Sequence, residues 1–355
     1  MKKSIATYLS PRYISIILTI VALALRFLAL MHRELSGDEI FQFNNIVGPF
    51  KPIWLHGDYG DHSSFPGDYV LTYPFVTMFA MNKWGLAIPH ILATVFSFFF
   101  LYRICQRFFT TVWGYMIAFA VVAFNANLIY HSFEFRPYAV LPTLALANLH
   151  LTYVVLKEYR TLTTTQKIWL GVFFFISFNF HAYGALMFLM PLFFNMFMIT
   201  ESQGRPLWHQ PTLKYFLIVI FCAMPVWLWY AGSNHFGVAP NPDFYTPKDP
   251  FLYIPHPIKD LIGFSKGILG NLIGQKSMYF LLLGCVFSFL IGHPQRKQQI
   301  LFLALLIILP LGSIMGVDIL SRYWFLQRQF VWIMPLFAIF LGWCWDSVLH
   351  FVGIK

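Results

Sequence analysis

The chain is poor in charge. Only 11% of its 355 residues are Asp, Glu, Lys or Arg, and 14 are acidic, where a soluble domain carries about 25% charged residues. That deficit excludes an ordinary water-soluble fold. Cysteine is scarce too. Cys105, Cys222, Cys285 and Cys344 sit singly in or beside apolar runs. They show neither metal-ligand spacing nor a disulfide framework, and read as small core residues. No internal repeat and no low-complexity tract is visible, and no basic cluster interleaves with polar residues, so no nucleic-acid partner is expected.

What the chain has is apolar surface. Hydrophobic residues make up 58%, 41 residues are Phe, and mean hydropathy is +0.64. Apolar runs of about 17–20 residues recur along nearly the whole length, which predicts an all-α polytopic membrane protein. The net charge of +10 fits basic cytoplasmic loops beside anionic lipid. The first run, 13–31, is long for a signal peptide and reads as an uncleaved span. Further spans are expected near 86–102, 111–129, 137–156, 167–181, 183–200, 213–230, 277–291, 299–316 and 329–349.

The short run 69–82 decides the topology. If it crossed the membrane, Arg103, Arg107, Lys157, Arg160 and Lys167 would lie outside. If it lies along the outer interface, they fall inside, together with Lys2, Lys3, Arg12, Arg205, Lys214, Arg296 and Lys297. The positive-inside rule favours the second arrangement. The expectation is one membrane domain, 1–355, with about ten spans and both ends cytoplasmic. Residues 32–85 then form a first outer loop with interfacial helices, and 231–276 a late outer loop.

This orientation gathers the polar residues with chemical potential at the outer face. Asp38 and Glu39 follow the first span. Two adjacent carboxylates beside a membrane helix are costly unless used. They suit general-base chemistry at a cavity mouth, or solvated loop residues with Glu39 capping a helix that begins near Ile40. Glu134, Arg136 and Tyr138 lie between two spans, with Pro137 placed to begin the next helix. Glu134 and Arg136 either face a cavity or snorkel to the interface. His181 and Tyr183 sit at a tight outer hairpin. Arg322 and Arg328 precede the last span; they are suited to phosphate or to lipid headgroups. Arg26, inside the first span, snorkels or faces the cavity.

At these residues the sequence resembles the GT-C superfamily of polyprenyl-phosphate-sugar glycosyltransferases. The nearest branch is the bacterial group of lipopolysaccharide-core galacturonosyltransferases and lipid A aminoarabinose transferases, with protein O-mannosyltransferases more distant. Arg26–Phe27 leading to Asp38–Glu39 is similar to the family's acidic pair after the first span. Asp61–His62, Phe65–Pro66 and Tyr69 resemble its stretch before an interfacial helix, although Phe65–Pro66–Gly67–Asp68 stands where relatives have paired prolines. Trp84–Gly85 and the span to Arg103 are similar to its second span. Tyr130–His131–Ser132 with Glu134, Arg136 and Tyr138 matches its most recognisable motif. His181 with Tyr183–Gly184, and Arg328 with Pro335, match two more. Against that resemblance, the expectation is that this chain lacks the soluble C-terminal domain that some relatives carry after the last span.

The resemblance implies an inverting glycosyltransferase of the inner membrane with its site on the periplasmic side. It would take a polyprenyl-phosphate sugar as donor and a hydroxyl of a lipid, glycan or protein as acceptor, with membrane lipids around it. No cofactor is implied, although the outer carboxylates with His62 are of the type that holds a divalent metal. In that reading Asp38 is the base, Glu39 and Glu134 are further catalytic carboxylates, and Arg328, Arg322, Arg136, His181, Tyr138, Tyr183, Asp61 and His62 contact substrate or phosphate. Two other classes stay open at this point. A lipid-linked sugar flippase or transporter would also place charge in a membrane, but near the midplane and often with repeats. An O-antigen ligase or polymerase would use the late loop.

Overall fold

The computed structural model describes residues 10–48, 65–203, 211–231, 274–291, 294–321 and 327–354. They are helical throughout, with no strand among them. The helices are α1 (Pro11–Met31), α2 (Gly37–Ile46), α3 (Pro66–Phe79), α4 (Lys83–Phe108), α5 (Val112–Phe124), α6 (Ala126–His131), α7 (Leu141–Glu158), α8 (Thr164–Phe178), α9 (Gly184–Gln203), α10 (Pro211–Ala231), α11 (Gln275–Ile291), α12 (Pro294–Ser321) and α13 (Met334–Phe351), with 3-10 turns at Pro137–Ala139 and Gln327–Ile333.

Among the described residues five helical segments are long and apolar enough to cross a membrane: Pro11–Met31, Lys83–Phe108, Pro137–Glu158, Pro211–Ala231 and Phe330–Phe351. Val112–Phe124, Gly184–Met196 and Lys297–Ser313 are shorter apolar helices. The chain is thus an all-α polytopic membrane protein. α3, at 14 residues, extends about 21 Å at 1.5 Å per residue, less than the ~30 Å hydrocarbon core. It ends at Ala80, whose φ of 49° is a break that non-glycine residues seldom adopt.

α7 and α13 form the buried centre, whereas α1 and α10 expose most of their apolar side chains, as lipid-facing helices do. α13 packs closely on α5. A Cβ on Gly342 would stand 2.7 Å from the Gly114 carbonyl, so only glycine permits that approach. α5 is also held at both ends by buried charge. At its N-terminus, Asp346 of α13 accepts from the Thr110 and Thr111 amides (3.1 and 2.6 Å) and from both hydroxyls. At its C-terminus, Arg26 of α1 donates to the Val122 and Ala123 carbonyls (3.0 and 3.3 Å). Both signs complement the helix dipole. Arg26 therefore turns inward, beside a small cavity that His131 and Tyr138 also line.

Three local features depart from the runs read in sequence. The apolar run 111–129 breaks at Asn125, whose side chain accepts from the Leu128 amide (2.9 Å) and starts the short α6. Pro137 opens a 3-10 turn and α7 begins only at Leu141; Arg136 before it is extended (φ −152°, ψ 157°), as a residue preceding proline tends to be. α2 starts at Gly37, three residues before Ile40. The four thiols are free, and those of Cys285 and Cys344 lie 3.5 Å apart between α11 and α13.

Candidate active site

α2 is fixed by its first turn. Ser36 and Glu39 form a capping box, in which the Ser36 hydroxyl accepts from the Glu39 amide and Glu39 Oε2 accepts from the Ser36 amide (2.7 Å). Glu39 Oε2 is also paired with Arg33, and Oε1 accepts from the Phe135 amide (2.7 Å). The residue is completely buried. Glu39 thus caps α2 and ties it to the loop between α6 and α7.

That clamp leaves Asp38 at the first turn with its side chain 48% exposed. The helix dipole there favours a negative charge. Asp38 Oδ2 meets Arg328 Nη2 in a direct ion pair. The other arm of the guanidinium, Nη1, lies 3.7 Å from Glu134 Oε1. Glu134 Oε2 in turn accepts from His131 Nδ1 at 2.5 Å. The order Asp38, Arg328, Glu134, His131 alternates acid and base across α2, the turn before α13 and the C-terminus of α6.

The electrostatics follow from this order. Burial alone would raise the Glu134 pKa. The His131 hydrogen bond and charge, with Arg328 and Arg33, outweigh it and hold the carboxyl below its usual range. Burial alone would lower Arg328, but Tyr138, Glu134 and Asp38 reverse the direction, so its charge is secure.

Tyr138 is the floor. Its buried ring lies 5.2 Å from the Arg328 guanidinium and 6.0 Å from that of Arg136. Arg136 also donates to Gln42 Oε1 (3.4 Å), and Gln42 Nε2 donates to Asp68 Oδ2 (2.5 Å). Asp68 Oδ1 faces His90 Nε2 at 3.5 Å. His181 stands edge-on to Tyr138, with ring centroids 6.1 Å apart. Its Nδ1 accepts from the Tyr183 amide (3.2 Å), which leaves the proton of a neutral ring on Nε2. Tyr183 packs on Phe330 and Trp332. A Cβ on Gly67 would stand 2.7 Å from the Phe180 Cα; glycine here lets α3 dock on the His181 hairpin.

The structure therefore brings Asp38, Glu134, Arg328 and Tyr138 into one cluster, with Arg136, His181 and Tyr183 around it and Glu39 beneath. Asp61, His62 and Arg322 lie outside the described residues, as does most of the late loop. His131, which belongs to the motif around Glu134, and Asp68, one of the outer carboxylates, join the network with Arg33, Gln42 and His90, to which sequence reasoning assigns no site role. Gln42 had a usable signal, four residues from Asp38 on one helix face. His90 had none, being hidden in an apolar run. Among the described residues no three His, Cys, Asp or Glu side chains group as metal ligands.

Residues 66–229 match the family profile described as dolichyl-phosphate-mannose-protein mannosyltransferase. The match runs from α3 to α10 and contains Glu134, Arg136, Tyr138, His181 and Tyr183, whereas Asp38 and Arg328 lie outside it. This is a family of the GT-C type, and it supports a membrane glycosyltransferase of that type. No curated protein matches the chain.

Proposed function

We propose that the chain is a single-domain inverting glycosyltransferase that moves a sugar from a polyprenyl-phosphate carrier to a hydroxyl acceptor at the outer face of the cell membrane. The observation that carries this reading is the sharing of Arg328 between Asp38 and Glu134 at the head of α2. A half-exposed carboxylate beside a guanidinium supplies the two functions that such a displacement needs. The acceptor oxygen attacks the anomeric carbon as its proton passes to Asp38. The bond from that carbon to the phosphate oxygen breaks, and polyprenyl phosphate leaves with the electron pair. Its charge grows where Arg328 stands ready, with Arg136 and His181 as further donors. The leaving group is already acidic, so one base is sufficient. Glu39 holds α2 in place, and no cofactor is needed in this scheme.

The basic residues support the orientation, since a non-crossing α3 puts them inside. In a cysteine-free background a membrane-impermeant thiol reagent should label Glu34→Cys from outside and spare Thr164→Cys; both positions are exposed. The reverse pattern would move the site to the cytoplasm. The activity itself is tested by incubating the purified protein with a panel of polyprenyl-phosphate sugars and acceptor hydroxyls. Release of polyprenyl phosphate is expected from at least one donor and from no nucleotide sugar. Consumption of nucleotide sugars alone would refute the reading.

A further inference from the structure

Glu134 is a buried carboxylate with two claims on it. His131 Nδ1 reaches Oε2 at 2.5 Å, while Arg328 Nη1 stays 3.7 Å from Oε1. Glu134 is 2% exposed, so water offers it little. An ionised carboxylate in such a place draws in the nearest available cation. The partners around it are the His131 ring from α6 and two guanidinium groups, Arg328 from the turn before α13 and Arg33 from the segment after α1. Arg33 is already paired with Glu39. His131 thus satisfies one oxygen of Glu134, Oε2, and leaves Arg328 as the neighbour of the other, Oε1. Its own place is fixed, since it ends α6, meets the Tyr130 ring edge-on at 5.0 Å and lines the small cavity with Arg26 and Tyr138.

We propose that His131 is a positioning residue: by satisfying Glu134 it keeps the Nη1 arm of Arg328, the arm that Asp38 does not hold, available to the phosphate of the lipid-linked donor. The inference rests on the proposed function, in which Arg328 meets that phosphate. His131 does not touch substrate. It acts through Glu134, a carboxylate that would otherwise compete with the donor for one guanidinium.

The test is equilibrium binding of polyprenyl phosphate to the full-length protein in lipid nanodiscs. His131→Ala should weaken binding by roughly tenfold to a hundredfold, the scale of one charge-assisted hydrogen bond. His131→Asn retains an N–H close to the Nδ1 position and should bind nearly as the parent does. The decisive variant is the double one, His131→Ala with Glu134→Gln. Removing the competitor's charge should restore most of the lost affinity. A merely structural role for His131 would leave the double variant as weak as the single one, or weaker, and that result would overturn the proposal. So would parental affinity in His131→Ala. A parent protein that binds no polyprenyl phosphate would overturn the donor assignment as well. Parental binding with unchanged His131→Ala affinity would remove this inference alone.

Discussion

Replacing Asp38 by asparagine should lower sugar transfer by roughly a hundredfold to ten-thousandfold, the usual worth of general-base catalysis. The variant should still insert and fold. Asp38 is half exposed, and the cap of α2 belongs to Ser36 and Glu39, so the substitution removes a proton acceptor without unsettling the helix. Asparagine keeps the size and one acceptor oxygen but cannot take the acceptor's proton. Initial rates with saturating acceptor and donor check this. Near-parental turnover would remove Asp38 from the chemistry and turn attention to Glu134.

Arg328→Ala should show the second large effect. Loss of a charge-assisted partner in a largely buried setting costs about 2–5 kcal/mol, which is about thirtyfold to several-thousandfold in kcat/KM for the donor. Part of that loss comes from Glu134, which would keep the His131 hydrogen bond but lose the neighbouring guanidinium. Arg328→Lys should recover only a fraction. A single ammonium cannot span Asp38 on one arm and Glu134 on the other as the planar fork does. Unchanged donor kinetics in Arg328→Ala would reassign the phosphate contact to Arg136 or His181.

The fold class could be read from the sequence because spans need long apolar runs and little else. The breaks within those runs could not, since they depend on single side chains. Asn125 caps α6, and Arg136 is pushed into extended backbone by the proline after it. The candidate site is partly legible for a similar reason. Asp38, Glu134, Arg136 and Arg328 are charges at the ends of apolar runs, where a charge needs a purpose. Glu39 reads in sequence as the cap of a helix beginning near Ile40; the cap is instead Ser36, with Glu39 as the third residue of a capping box. The pairing of Asp38 with Arg328 joins residues 290 apart, and no local pattern announces it. His90 is hidden in an apolar run, and the motif that contains His131 does not mark it as the partner of Glu134; the fold sets one against Asp68 and the other against Glu134.

In the proposed mechanism Arg328 belongs to the donor phosphate and Asp38 is the base beside it, not a ligand of the donor. The most direct measurement is the affinity of Asp38→Asn for polyprenyl phosphate, set against the parent in the same nanodiscs. Equal or tighter binding is expected, because removing the Asp38 charge frees Arg328 from a competing ion pair while transfer is lost. Binding weakened tenfold or more would contradict it, since Asp38 would then hold the donor instead of receiving the acceptor's proton.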